Sequence, residues 1–139
     1  MPVIVVSACL AGIECRYNGS AFLDKQVVEL VRKGLAVPIC PELLAGLPSP
    51  RPPVEQCQGK MISINGTDQT EQFVSGARRG LEIALANGCR KAILKSNSPT
   101  CGSGWIYDGS FSGVLVPGDG IFAKLLKDRG IEVCSEEIL

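Results

Sequence analysis

The chain contains no histidine. That removes the commonest general base, the commonest zinc ligand and every Ser–His or Cys–His nucleophile pair. Chemistry here falls to carboxylates, thiols, hydroxyls, lysine, arginine, tyrosine or a cofactor. Long apolar runs are missing too. The first, Val3 to Val6, is far short of a membrane span and has no charged segment before it, so a cytoplasmic location is expected. No charge sign dominates: 14 Lys and Arg balance 14 Asp and Glu. A polyanion-coating surface is therefore not expected, and small molecules suit the chain better than tRNA or a membrane. Finally, no two cysteines stand at the Cys-x-x-Cys spacing that marks structural zinc, ferredoxin-type clusters or thioredoxin-like redox pairs.

What is present is thiol. Seven cysteines occur in 139 residues. An odd number in a reducing compartment is not a disulfide framework. Cys89 and Cys134, flanked by strand-like residues, read as buried structural thiols. Cys57 has no assigned partner. Three others follow strand-like runs: Cys9 after Val3–Val6, Cys40 after Leu35–Ile39, and Cys101 in the turn after Lys91–Lys95.

The segments alternate. After the first strand, residues 24 to 33 carry Val27, Val28, Leu30 and Val31 at helical spacing, stopped by Gly34. Pro48, Pro50, Pro52 and Pro53 forbid a regular element and predict a semi-rigid arm near the site. Lys60 to Asn65 predicts an edge hairpin turning at Asn65-Gly66, and Asp68 with Glu71 predicts a capping box on a long helix ending at Gly88. Residues 105 to 113 read as loop. A helix over Phe122, Leu125 and Leu126 and a closing strand, Ile131 to Cys134, follow.

Strand and helix in alternation predict one α/β domain over residues 1–139: a Rossmann-like three-layer sandwich, with helices on both faces of a mostly parallel sheet of about four to five strands. Ligands of such sheets bind beyond the carboxyl ends of the strands. Cys9, Cys40, Glu42, Ser98 and Cys101 all fall there, and Glu136 follows the closing strand in the same way. Three converging sulfurs suggest an iron–sulfur cluster, with a metal-free reactive thiol at Cys101 as the rival. Glu136 at the chain end reads as surface.

Several stretches taken together resemble a known family. They are Cys9-Leu10-Ala11-Gly12, Cys15-Arg16-Tyr17-Asn18-Gly19, Cys40-Pro41-Glu42, Pro50-Arg51-Pro52-Pro53-Val54-Glu55, Ser98-Pro99-Thr100-Cys101-Gly102, Tyr107-Asp108-Gly109-Ser110-Phe111 and Ser135-Glu136-Glu137. The chain is similar, over nearly its whole length, to the thiouracil desulfidase family of small bacterial proteins. Thr100 and Asn18 depart from the usual serine and aspartate of that family.

The resemblance implies that Cys9, Cys40 and Cys101 bind a [4Fe–4S] cluster through three irons, with Glu42 and Ser98 beside the fourth. It implies a non-redox desulfuration of a thiolated pyrimidine base, nucleoside or nucleotide, with sulfur taken by the open iron and released as hydrosulfide. Glu42 would act as general acid and base, and Ser98 would hydrogen-bond substrate or water. Arg16, Tyr17, Arg51, Ser96, Asn97 and Tyr107 are the candidate substrate-binding residues. Cys15 is either a fourth ligand or a thiol behind the ligands, and the second is expected. The alternative class is a non-enzymatic iron–sulfur or thiol-redox module in sulfur homeostasis.

Overall fold

A computed structural model describes residues 3–138. Four short strands form a wholly parallel sheet: β1 (Ile4–Ser7), β2 (Ala36–Ile39), β5 (Lys91–Leu94) and β8 (Glu132–Ser135), in the order β2-β1-β5-β8. The two central strands, β1 and β5, carry the apolar runs Ile4-Val5-Val6 and Ala92-Ile93-Leu94 because both of their faces are covered, whereas the edge strand β8 is Glu-Val-Cys-Ser and only partly buried. Val5, Ala92 and Leu94 point to one face, where the helices α3 (Thr70–Ala86) and α4 (Ile121–Asp128) bring Ala77, Leu81, Phe122 and Leu126. Val6 and Ile93 point to the other, against Val27 and Leu30 of α1 (Lys25–Arg32). The three-layer arrangement expected from the sequence is therefore present. No helix of the described residues is long and apolar enough to cross a membrane.

The sheet order contains the feature that positions the site. The chain moves outward from β1 to β2 and then returns to the other side of β1 for β5. The loops leaving β1 and β5 diverge at that reversal and leave a crevice between them. A short helix, α2 (Pro41–Leu44), follows β2 directly and lies on α3. That docking depends on Gly76 of α3: a β-carbon there would lie 1.9 Å from the Pro41 carbonyl oxygen. The glycine thus fixes where Glu42, the second residue of α2, can stand.

Three local expectations are corrected. The hairpin pairs β3 (Val54–Cys57) with β4 (Lys60–Ser63), and its turn is Gln58-Gly59, not Asn65-Gly66. Both turn residues have positive φ, 52° and 80°, which matches the right-handed twist of a tight hairpin. Asp68 makes no capping box with Glu71. Its carboxylate accepts from the amide and hydroxyl of Thr70, and the Thr70 hydroxyl in turn accepts from the Met61 amide, so these side chains join α3 to β4. Residues 105–113 are not all loop: β6 (Trp105–Tyr107) lies among them and pairs antiparallel with β7 (Leu115–Pro117).

Candidate metal centre

Each candidate ligand leaves the sheet in a different local structure. Cys9 lies in a tight 3-10 turn, Ala8–Ala11, straight after β1, and its carbonyl accepts from Gly12 and Phe22 amides. Cys40 is the residue before α2, where Pro41 occupies the first helical position. Cys101 ends the turn after β5. There the Ser98 hydroxyl oxygen accepts from the amides of Thr100 and Cys101, both at 3.1 Å. That oxygen is already engaged, which leaves the Ser98 hydroxyl proton as its one free donor.

The Cys101 turn is gripped from behind. Gln56 Nε2 donates to the carbonyls of Pro99 and Asp119 at 2.9 Å each, and the Phe122 amide donates to the Thr100 carbonyl. Gly120 passes so close that a β-carbon would lie 2.3 Å from the Thr100 carbonyl carbon.

Cys9, Cys40, Cys101 and Cys15 all face one cavity of about 430 Å³, within the roughly 300–1,000 Å³ usual for small-molecule sites. Cys89 and Cys134 are packed in the two cores on either side of the sheet, and Cys57 ends β3. The cavity also takes in Glu42, Ser98 and the six candidate substrate residues Arg16, Tyr17, Arg51, Ser96, Asn97 and Tyr107.

The electrostatics are those of a place that wants a cation. Cys15 has its thiol pushed up to about 11: its neighbour Cys40 pulls it down, but Cys9, burial and the Glu42 charge outweigh that. Cys40 is pushed far above the ordinary thiol range by Cys15, burial and the Glu42 charge. Burial, then the Glu42 charge, does the same to Cys101, with the Ser7 hydroxyl opposing. Burial and the Glu42 charge thus hold Cys15, Cys40 and Cys101 as thiols until positive charge is added. A metal supplies that charge and releases the protons.

No three Cys, Asp or Glu side chains among the described residues are grouped to grip a single ion. A lone zinc needs its sulfurs about 2.3 Å from one point. Thiols ranged around a cavity, each from a separate strand end, suit a larger polynuclear group with sulfur-seeking metals. The donor set therefore fits a cluster better than an ion.

Glu42 is held beside this group. Its Oε1 lies 3.8 Å from Cys40 Sγ and its Oε2 3.4 Å from Arg51 Nη2. Arg51 Nη1 also donates to the carbonyls of Cys15 and Pro48, and Ser49 Oγ to those of Glu14 and Arg16. The proline arm is thus stitched to the 14–17 turn and walls the cavity. Arg16 stands near the cavity mouth, its guanidinium 5.7 Å from the Phe22 ring centre and 6.0 Å from that of Tyr17.

A family profile described as 2-thiouracil desulfurase matches residues 4–138. The chain belongs to that family. YbbK of Bacillus subtilis (strain 168) is 44% identical, covering 99% of this chain and 97% of its own. A solved structure described as a [4Fe–4S]-dependent thiouracil desulfidase, TudS, is 42% identical and superposes with a TM-score of 0.94, covering all of this chain and 93% of that one.

For this desulfurase-family chain, the structure brings together side chains that the sequence reading passed over. Glu136 is not on the surface: its carboxylate accepts from the amide of Ser96 at 2.7 Å and its hydroxyl at 3.0 Å, and pairs with Lys95 at 3.2 Å. Lys95 lines the cavity and lies 4.3 Å from the Phe22 ring centre. Trp105 is half exposed. Ser7, Glu55 and Gln56 were also missed. Their partners lie tens of residues away, so no local spacing announces them. The signal that was available was Glu55 itself, a charged residue following the proline arm at the start of a short strand, Val-Glu-Gln-Cys.

Proposed function

We propose that this chain removes the thiocarbonyl sulfur of a thiolated pyrimidine, without net electron transfer, using a [4Fe–4S] cluster held by Cys9, Cys40 and Cys101. The observation that carries this is the convergence of those three thiols with Glu42 and Ser98 on one open cavity. Family membership and the likeness to a [4Fe–4S]-dependent thiouracil desulfidase support it. When bound, the cluster supplies an iron without a protein ligand, a Lewis acid with affinity for sulfur.

The chain's own residues do the rest. Glu42 takes a proton from the attacking water and returns one to the substrate ring nitrogen, since its carboxylate stands 3.8 Å from the Cys40 sulfur. Arg51 holds that carboxylate in place and balances its charge. The Ser98 hydroxyl donates to substrate or water, because its oxygen is already fixed by two amides. Cys15 stands behind the ligands and does not bind iron. Arg16 and Tyr17 at the mouth, with Ser96, Asn97 and Tyr107 on the wall, contact the base.

The test is anaerobic reconstitution followed by incubation with 2-thiouracil and 4-thiouracil. Hydrosulfide release that disappears in Glu42→Gln, with the cluster spectrum intact, is the expected result. A stable cluster with no sulfur release from any thiopyrimidine would favour a non-enzymatic module instead.

A further inference from the structure

A second carboxylate lies in the cavity, and the mechanism above gives it nothing to do. Glu55, on β3, is only 8% exposed. Its Oε1 accepts two backbone amides, from Gly109 at 3.0 Å and from Phe111 at 3.1 Å. Its other oxygen accepts no hydrogen bond among the described residues, and it is not among the sealed, unpartnered atoms of the interior. No lysine or arginine pairs with Glu55 among them either. A carboxylate this buried, with no cation and one oxygen unclaimed by the protein, can accept one further donor from the cavity.

The loop it holds is itself unusual. Phe111 has φ +57°, a left-handed backbone that a bulky aromatic residue seldom adopts. The Glu55 oxygen secures the amide of this residue, and Phe111 lines the same cavity. Were Glu55 a loop staple alone, a glutamine would serve without burying charge.

We infer that Glu55 recognises the pyrimidine ring: its free carboxylate oxygen accepts a ring N–H of the substrate, while its other oxygen fixes the loop carrying Phe111. The inference rests on the thiopyrimidine reading above and adds a specificity-determining residue to it. Thiouracils carry N–H groups beside the thiocarbonyl, and a carboxylate accepts those while repelling a ring nitrogen that presents only a lone pair. Glu42, already bound to Arg51, handles the proton that moves; Glu55 reads a proton that stays.

The test uses the cluster-loaded protein and the series 2-thiouracil, 1-methyl-2-thiouracil and 3-methyl-2-thiouracil. The unaltered chain should lose roughly tenfold or more in kcat/KM for one of the two methylated isomers, as expected when a charge-assisted hydrogen bond is removed. Glu55→Gln keeps an oxygen for Gly109 and Phe111 but turns an amide toward the ring. It should raise KM for 2-thiouracil roughly tenfold with kcat and iron content near those of the unaltered chain, and shrink the gap between parent and methylated substrate. Glu55→Gln with the full gap retained overturns the inference. So does equal turnover of all three compounds by the unaltered chain, a result that needs no variant to fold. If the loaded, unaltered chain releases no hydrosulfide from any of them, the underlying reading fails as well, and the two failures are told apart.

Discussion

The Arg51 guanidinium stands 3.4 Å from the Glu42 carboxylate, in a spot where the two side chains are 7% and 15% exposed. It also donates to the Cys15 and Pro48 carbonyls, so one side chain fixes the arm, the turn and the carboxylate together. Removing one partner of a buried pair leaves the other charge unbalanced, at about 3 kcal/mol. Arg51→Ala should therefore lower the thermal midpoint clearly. Arg51→Lys should restore little, because an ammonium cannot reach three acceptors in a fixed fork. Thermal unfolding of both variants, alone and combined with Glu42→Gln, checks this; the double variant should recover part of the loss.

Glu136 gives a pH dependence with a definite sign. Burial pushes its carboxyl up, but the Ser96 amide, the Lys95 ammonium and the Ser96 hydroxyl outweigh that and hold it below its ordinary value of 4.5. A folded value below the unfolded one stabilises the fold above pH 4.5, and the contribution disappears as pH falls through the lowered value. Glu136→Gln should be less stable than the unaltered chain at pH 7, with the difference closing as the pH falls below about 4. Melting curves across that range test it; a constant difference would contradict it.

Gly120 shows how tightly the Cys101 turn is built. Gly120→Ala would force its methyl into the Thr100 carbonyl, and the backbone must move. Overpacking of this kind costs about 1–3 kcal/mol. Because the displaced backbone carries Cys101, the variant should also take up less iron than the unaltered chain after reconstitution. Full iron content with a lowered melting point would separate the turn from the site.

The sheet was legible because its central strands hold short unbroken apolar runs, Ile4-Val5-Val6 and Ala92-Ile93-Leu94, each giving way within two residues to serine. Helices α1 and α4 were legible from their amphipathic spacing and the glycines that follow them. The hairpin was misplaced because Gln58-Gly59 and Asn65-Gly66 both offer positive φ, and only packing selects between them. The capping box failed because Thr70 claimed Asp68 first. Of the site, the thiols and Glu42 stood out through motifs at strand ends. Glu136 and Glu55 lie in the matched stretches, but their roles were not legible, since each is defined by amides 40 or more positions away along the chain.

The most direct measurement is the iron and acid-labile sulfide content of anaerobically reconstituted Cys→Ala variants, taken beside the unaltered chain. About four irons per chain are predicted for the unaltered protein and for Cys15→Ala, with near-complete loss in Cys9→Ala, Cys40→Ala and Cys101→Ala. Loss in Cys15→Ala equal to that in Cys9→Ala would make Cys15 a ligand, close the open iron and contradict the account.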